Sequence, residues 1–300
     1  MNEVTIGMVG LAAILLLFLT GIELGFAMAI IGFLGFGYIV SYSAAANLLA
    51  KDIFDVFSSY GFTVIPLFVL MGQVAFNAGI ARRLFNASYK FVGHIPGGMA
   101  MATVAGATAF KAICGSSPAT AATFAVVAVP EMDRYGYSKK LSTGIVSVVG
   151  TLGCLIPPSV TLIVFGIITE QSIGKLFLAG LIPGLMIAFF FICIIYVWCK
   201  IDPALGPKGE KSSWKERLVS LPEVVWVVAI FVFMVGGLMQ GLFTPTEAGS
   251  VGTFFVLLLS FVKRDIKLKG YITSVAESLR TACMVLMLIA GSAVWGTFWP

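Results

Sequence analysis

The chain has 300 residues, of which 59% are hydrophobic and only 11% are charged, and its formal net charge is +5. Soluble domains are about 45–50% apolar and about 25% charged. The 19 basic and 14 acidic residues are therefore too few to cover a water-facing surface of this size. This composition excludes a soluble domain and predicts an integral membrane protein with several transmembrane helices.

Six apolar runs are long enough to be membrane spans, since a span takes roughly 20 largely apolar residues. They lie near residues 5–21, 24–41, 62–80, 176–199, 221–242 and 246–262. The first run follows Met-Asn-Glu-Val directly, with no basic segment before it. We therefore expect the first helix to be retained in the protein and not cleaved as a signal peptide.

Residues 46–58 have an amphipathic pattern that differs from that of the spans. One helical face carries apolar side chains and the rest of the segment is charged, which predicts an interfacial helix. The apolar residues are Leu48, Leu49, Ile53 and Phe57, and the charged residues are Lys51, Asp52 and Asp55. The segment 82–91 has a similar character.

Basic residues gather in four short segments between the apolar runs. These clusters are Arg82 to Lys90, Lys139 and Lys140, Lys200 to Arg217, and Lys263 to Lys269. Such clustering is a topology signal and not a nucleic-acid-binding patch, and the positive-inside rule places all four clusters in the cytoplasm. Counting spans back from the first cluster predicts an N-terminus on the outside.

Residues 97–131 do not form an ordinary span. They contain two short apolar arms, Gly98 to Cys114 and Ala119 to Val129, joined by Gly115-Ser-Ser-Pro118. Neither arm is long enough to cross comfortably. Because basic clusters flank the unit on both sides, the number of crossings must be even. A re-entrant helical hairpin with a polar tip at membrane depth satisfies that requirement.

Residues 141–169 form an apolar segment that is interrupted in its middle. The interruption, Gly150-Thr-Leu-Gly-Cys-Leu-Ile-Pro-Pro-Ser159, contains two adjacent prolines that remove two backbone donors and free carbonyl groups of the preceding turn. Irregular backbone in the hydrocarbon region is tolerated only where protein or a water-filled cavity satisfies it. A pair of Gly/Pro-interrupted segments is therefore the best sequence pointer to a transport site.

The two interrupted segments together offer many oxygen atoms. Ser116, Ser117 and Thr120 supply hydroxyl groups, and the turn from Gly153 to Pro157 supplies carbonyl groups, a set suited to a small alkali cation. The alternative is that the breaks only kink packed helices, while the hydroxyl groups bond back to nearby carbonyl groups. The residues alone leave both interpretations open.

Four motifs follow one another along the chain: Gly115-Ser-Ser-Pro-Ala-Thr-Ala-Ala, Pro130-Glu-Met-Asp-Arg-Tyr-Gly-Tyr137, Gly150-Thr-Leu-Gly-Cys-Leu-Ile-Pro-Pro-Ser159 and Gly241-Leu-Phe-Thr-Pro-Thr-Glu-Ala248. In this order they resemble the motifs of the large membrane subunit of tripartite ATP-independent periplasmic (TRAP) transporters. The likeness extends over the whole chain, because residues 1–45 also resemble that subunit's first two helices.

The resemblance implies an all-α polytopic membrane protein of the bacterial inner membrane, an elevator-type transporter with inverted repeats. Import would be coupled to sodium and would need a small membrane subunit and a periplasmic substrate-binding protein. The implied cargo is an organic acid of the C4-dicarboxylate, 2-oxo acid or sugar-acid type. Sodium is the coupling ion, and no other cofactor is implied.

Carried onto the matching positions, the family's sodium site falls on the hairpin tip and on the broken helix. The implied ligands are Gly115, Ser116, Ser117, Gly153, Ile156 and Pro157, the last three through their carbonyl groups. Thr120 and Ser159 neighbour these ligands, and we expect them to line the substrate pocket together with Lys111.

Two residues depart from the family pattern. Many members have Ser immediately before the hairpin glycine, where this chain has Cys114. Lys111 lies in an arm that is usually uncharged, and an ionisable group within a membrane suggests a functional role. It could meet a substrate carboxylate, or alternatively it could snorkel or face a cytoplasmic cavity.

The chain ends at Pro300 inside the uncharged run 281–300, whereas the family continues with a second repeat half. We therefore expect a chain truncated relative to the family. The predicted parts are a helical scaffold at 1–95, a transport unit at 96–200, a cytoplasmic loop at 201–220 and the start of the second repeat at 221–300.

Other functions find less support in the sequence. With one histidine, no H-E-x-x-H and no Walker A motif, an intramembrane metalloprotease or an ATP-driven pump lacks its essential residues. A Ser/Lys hydrolase built from Ser116 or Ser117 with Lys111 is the least unfavourable enzyme hypothesis, and a passive ion channel is the nearer alternative. We expect Glu247 to cap a helix and Gln73 and Asn77 to bond neighbouring helices.

Overall fold

The computed structural model describes residues 3–298, and side chains from residue 6 onward. Within this range the chain is helical, and no β-strand interrupts it, as the composition predicted. The chain end at Pro300 lies outside the described residues. The α-helices of the described range are α1 Glu3–Leu19, α2 Leu24–Ile39, α3 Tyr42–Ser58, α4 Val64–Asn77, α5 Ile80–Val92, α6 Gly98–Lys111, α7 Ser117–Arg134, α8 Lys139–Thr151, α9 Val160–Ile168, α10 Ile173–Ile201, α11 Trp214–Met239, α12 Pro245–Val262 and α13 Leu268–Phe298.

Five helices of the described range are long and apolar enough to cross a membrane. They are Tyr60–Asn77 (a short 3₁₀ turn continued by α4), Ile173–Ile201, Trp214–Met239, Pro245–Val262 and Leu268–Phe298. Four of them agree with predicted spans, and the predicted spans at 5–21 and 24–41 are shorter apolar helices. The prediction missed Leu268–Phe298 as a span, because its first half carries Lys269, Glu277 and Arg280.

The long helix α10 shows why water cannot be the solvent of these helices. Over its 29 residues it leaves large apolar side chains exposed, including Phe189, which is 62% exposed, and Trp198, which is 58% exposed. Exposed apolar residues occur singly on soluble proteins, but a continuous band of them marks a surface that another apolar phase covers. The chain is a multi-pass membrane protein.

The first of two compact units comprises residues 1–66 and 278–300. Within it, α2 and the end of α13 approach until their backbones touch at small residues. A Cβ atom added to Gly25 would lie 2.7 Å from the backbone nitrogen of Leu288, and one added to Gly32 would lie 3.0 Å from that of Trp295. Glycine is therefore required at these two positions, as in close packing of transmembrane helices.

The predicted interfacial helix is confirmed as a helix, but it begins earlier than expected. Helix α3 starts at Tyr42 because the hydroxyl oxygen of Ser41 accepts a hydrogen bond from the Ala44 N–H, at 3.2 Å. Such N-terminal capping satisfies a backbone donor that the helix leaves free. The location of α3 at a membrane surface stays a prediction.

The second compact unit, residues 67–277, is built around α6. Almost every residue of α6 is buried, because α5, α7, α8 and α10 all pack against it. Its sequence consists mostly of Gly, Ala, Met and Thr, whose small or flexible side chains let several helices approach at once. The first arm of the predicted hairpin is thus the centre of this unit.

Tyr137 fixes the base of the hairpin and explains the second of the four motifs. Its hydroxyl group accepts a hydrogen bond from the Met99 N–H at 3.1 Å and donates one to the Pro207 carbonyl at 3.0 Å. Burial raises the pKa of Tyr137 to about 12, so the hydroxyl group keeps its proton at physiological pH. The start of α6 is thereby tied to the loop after α10.

Two polar predictions are confirmed. Glu247 closes a capping box at the start of α12, where its carboxylate accepts from the Thr244 N–H at 2.7 Å and its own N–H donates to the Thr244 hydroxyl at 3.3 Å. This box explains the fourth motif. The side chain of Asn77 donates to the Ser274 hydroxyl at 2.8 Å and so joins α4 to α13.

Four charged side chains from the predicted basic clusters and their neighbours form one network. Arg83 on α5 donates two hydrogen bonds to Asp265, at 2.7 and 2.9 Å, and its Nε atom lies 3.1 Å from Glu223 on α11. Lys263 contacts the same Glu223 at 2.8 Å. Because these groups are only partly exposed, solvent screens their attraction less than it screens an exposed pair.

We predict that Arg83→Met lowers the free energy of unfolding by about 1–2 kcal/mol, because it leaves two partly buried carboxylates with one cation between them. Unfolding of the purified protein in mixed micelles measures the change. The control is Lys211→Met, at an exposed loop position. Equal stability of the two variants would show that the network contributes nothing.

Candidate functional site

The predicted helical hairpin is confirmed by α6 and α7, with residues 112–116 between them as its tip. Helix α7 begins at the tip because the Ser116 hydroxyl accepts a hydrogen bond from the Ala119 N–H, at 3.3 Å. Pro118 takes the second helical position, where its missing N–H is of no consequence. Entry of the hairpin into a membrane stays a prediction.

The predicted break in the second segment is confirmed as well. Helix α8 ends at Thr151, a short 3₁₀ turn covers Leu152–Cys154, and regular helix resumes only with α9. Ser159 stabilises the turn, because its hydroxyl group donates to the Cys154 carbonyl at 3.1 Å and accepts from the Leu162 N–H at 3.5 Å. The third motif therefore forms a hydrogen-bonded turn that interrupts the helix between α8 and α9.

The tip and the break meet each other. The Gly115 carbonyl accepts a hydrogen bond from the Val160 N–H at 3.3 Å, which joins the tip to the first residue of α9. The Ser117 hydroxyl lies 3.7 Å from the sulfur of Cys154. The sequence analysis required a polar partner for each irregular segment. Each segment finds that partner in the other.

Gly153 lies where the two segments are closest. A Cβ atom added there would collide with Nζ of Lys111 and with the hydroxyl oxygen of Ser117. Only a residue without a side chain leaves space for both groups. Gly150, one helical turn earlier, approaches Ala121 of α7, where an added Cβ would lie 3.1 Å from the alanine methyl group.

Of the six predicted ligands, the structure brings Ser117 and Gly153 together, whereas Gly115 meets the break at Val160. Ser116 belongs to the same cluster through its carbonyl group, which Lys111 contacts. The side chain of Ile156 packs on α10, where a Cβ atom added to Gly184 would be 2.7 Å from it, and the role of its carbonyl group stays a prediction. Pro157, the remaining predicted ligand, is buried at the break, and its peptide bond to Pro158 is cis.

The hydroxyl groups on the first turns of α7, next to the tip, have different hydrogen-bond partners. The Thr120 hydroxyl donates to the Ser116 carbonyl at 3.0 Å, and that of Thr123 donates to the Ala119 carbonyl at 2.6 Å. These two groups, like Ser159, bond back within their own segments, as the alternative interpretation proposed. Ser117 differs from them because its contact is with the opposite segment.

Lys111 is the last residue of α6, and its side chain is completely buried. Its Nζ donates to the Ser116 carbonyl at 2.8 Å. The side chain neither snorkels to a surface nor faces an open cavity, so that alternative is wrong. Within the described residues no carboxylate lies at ion-pair distance from this ammonium group.

Sequence reasoning missed two members of the cluster. Cys154, the partner of Ser117, was not among the predicted site residues, although it follows Gly153 directly. The Pro158 carbonyl was also overlooked, and it lies 3.5 Å from the position of a Cβ atom on Gly115. Both residues lie inside the third motif, and this position could have identified them from the sequence.

Comparison with known proteins gives the same family as the one that the four motifs resemble. Residues 11–298 match the family described as "Tripartite ATP-independent periplasmic transporter, DctM component". The chain belongs to this family. This is the family of the TRAP transporter large permease proteins, as the four motifs predicted.

Individual relatives in the DctM family are named for different transported compounds. The chain is 37% identical to the C4-dicarboxylate TRAP transporter large permease protein DctM of Pseudomonas aeruginosa, over 82% of this chain and 58% of that protein. It is 33% identical to the isethionate TRAP transporter permease protein DctMQ of Oleidesulfovibrio alaskensis, over 88% of this chain and 42% of that protein. It is 35% identical to the ectoine TRAP transporter large permease protein TeaC of Halomonas elongata, over 76% of this chain and 54% of that protein. The chain thus spans about half the length of these relatives.

We predict that Gly153→Ala destabilises the protein by about 1–3 kcal/mol, because the added methyl group displaces the buried Lys111 ammonium from its carbonyl acceptor. Thermal unfolding followed by tryptophan fluorescence measures the effect.

The matched control is Gly144→Ala on the preceding helix α8, where an added Cβ meets no atom within 4 Å. That change is expected to be neutral or stabilising by up to about 1 kcal/mol, because alanine favours helix. If both variants unfold at the same temperature, the contact between tip and break is too loose to form a site.

Proposed function

We propose that this chain is the large membrane subunit of a sodium-coupled, binding-protein-dependent importer of small organic acids. The observation that carries the proposal is the contact between the hairpin tip and the helix break, where the Gly115 carbonyl bonds to the Val160 N–H at 3.3 Å. Interrupted helices that meet inside a membrane protein supply free carbonyl groups and helix ends, the usual components of ion and substrate sites in secondary transporters.

The proposed sodium ligands are the oxygen atoms of the tip and the break, from Gly115, Ser116, Ser117, Gly153, Ile156 and Pro157. Hydroxyl and carbonyl oxygens without a nearby carboxylate suit a monovalent cation better than a divalent one, which is usually bound by charged ligands. Support comes from Ser117, whose half-buried hydroxyl faces the break. Thr120, Ser159 and Lys111 remain the proposed substrate-pocket residues.

The proposed mechanism couples sodium to movement through differential affinity. Sodium bound between tip and break stabilises one arrangement of the two segments, and the loaded unit, residues 96–200, then moves against a scaffold formed by residues 1–95. A ligand shifts such an equilibrium only by the difference between its affinities for the two states. Residues 201–220 act as a cytoplasmic loop, and residues 221–300 begin a second repeat.

The proposed cargo is an organic acid of the C4-dicarboxylate, 2-oxo acid or sugar-acid type. The relative from Pseudomonas aeruginosa is named for C4-dicarboxylate, which supports this class. The relative named for ectoine shows that cargo differs among DctM family members. The proposed partners are a small TRAP membrane subunit and a periplasmic substrate-binding protein, in the inner membrane of a bacterial cell.

We predict that proteoliposomes containing this chain, its small subunit and its binding protein take up a radiolabelled organic acid only with an inward sodium gradient. Ser117→Ala should raise the sodium concentration for half-maximal uptake about tenfold, which corresponds to the loss of a ligand worth about 1.4 kcal/mol. Initial uptake rates over a sodium series measure this.

The matched control is Ser147→Ala on α8, whose exposed hydroxyl bonds only to the Thr143 carbonyl of its own helix, at 2.9 Å. It should transport like the unmodified protein. Flux that is unsaturable, independent of sodium and independent of the binding protein would contradict the proposal and favour a channel.

A further inference from the structure

Lys111 presents an unusual electrostatic problem. Its ammonium group is fully buried, and it takes part in none of the ion pairs of the described residues, which involve Arg83 and Lys263. A desolvated charge is costly unless other groups replace its hydration. Here the replacement is neutral oxygen, because Nζ donates to the Ser116 carbonyl at 2.8 Å.

The surroundings of this ammonium group coincide with the proposed sodium site. Nζ contacts the Ser116 carbonyl directly, and the space beside Gly153 is shared by Nζ and the Ser117 hydroxyl. Three of the six proposed sodium ligands therefore surround Lys111. A compact ammonium and a sodium ion both select such oxygen atoms, since each is a small, strongly hydrated point charge.

Two positive charges cannot share this position. No described carboxylate compensates them, and at the short separations within one site their repulsion in a medium of low polarity is large. We propose that the Lys111 ammonium competes with sodium for the hairpin site, so that the lysine occupies the Ser116 carbonyl when sodium is absent and must leave it before sodium binds. This inference rests on the proposed function.

The local geometry makes such an exchange feasible. Lys111 ends α6, so its side chain is anchored in regular helix, while the acceptor belongs to the irregular tip five residues later. The absent side chain of Gly153 leaves the space that the ammonium group fills. Competition therefore lowers the apparent sodium affinity, and the lysine holds the tip in place in the sodium-free protein.

The test is sodium binding to the whole purified chain in lipid nanodiscs, without any substrate. Sodium chloride replaces choline chloride at constant ionic strength, and thermal unfolding is followed by tryptophan fluorescence, because a ligand of the folded state raises the unfolding temperature. Lys111→Met should lower the sodium concentration for half-maximal stabilisation at least tenfold. Lys111→Gln, which retains a neutral donor for the Ser116 carbonyl, should do the same even if the methionine variant folds poorly.

Two controls separate charge from packing. Lys111→Arg keeps the positive charge and should leave the sodium requirement high, and Lys175→Met removes an exposed charge at the start of α10 and should change nothing. If sodium stabilises the unmodified protein and the neutral variants with the same half-saturation, the competition is wrong while the sodium site survives. If no variant responds to sodium although all unfold cooperatively, both the competition and the sodium site are wrong.

Discussion

The structure depends on one constraint, that backbone polar groups away from water must find partners within the protein. Helices satisfy this constraint along their length through their own hydrogen bonds. The hairpin tip and the break after α8, however, expose carbonyl and N–H groups that no helix satisfies. Each segment satisfies part of the other, through the bond from the Val160 N–H to the Gly115 carbonyl. Because the two interruptions need each other, they meet in space although some 45 residues separate them in the sequence.

The same constraint explains how a lysine can lie in the middle of this cluster. A break supplies more acceptors than donors, since its prolines have no N–H groups. The Lys111 ammonium brings three donors to the neighbouring tip, where the Ser116 carbonyl accepts from it and from the Thr120 hydroxyl. A free cation at this place would meet the same oxygen acceptors as the ammonium group.

Much of this arrangement could be predicted from the sequence, because its signals are local. The hairpin, the break, the capping role of Glu247 and the bond made by Asn77 all follow from proline, glycine and polar residues at fixed positions. Distances between segments do not follow in that way. Nothing in the sequence shows that Ser117 faces Cys154, that Ile156 packs on α10, or that the ends of α2 and α13 touch at Gly25, since these depend on how helices pack. The helix Leu268–Phe298 was recognised only through its second half, the uncharged run 281–300, because its first half carries charges.

The two ends of the hairpin are held by interactions of different strength. At its base, Tyr137 bonds both Met99 and Pro207, and the neighbouring helix α5 is fixed by charge-assisted bonds of Arg83. At its tip, the polar contacts with the break include one long backbone bond at 3.3 Å and one hydroxyl–sulfur contact at 3.7 Å. Long contacts of this kind contribute less than short, well-aligned hydrogen bonds. A cation held between tip and break would therefore add to the weaker of the two sets of polar contacts, while the hydrogen bonds of Tyr137 hold the base.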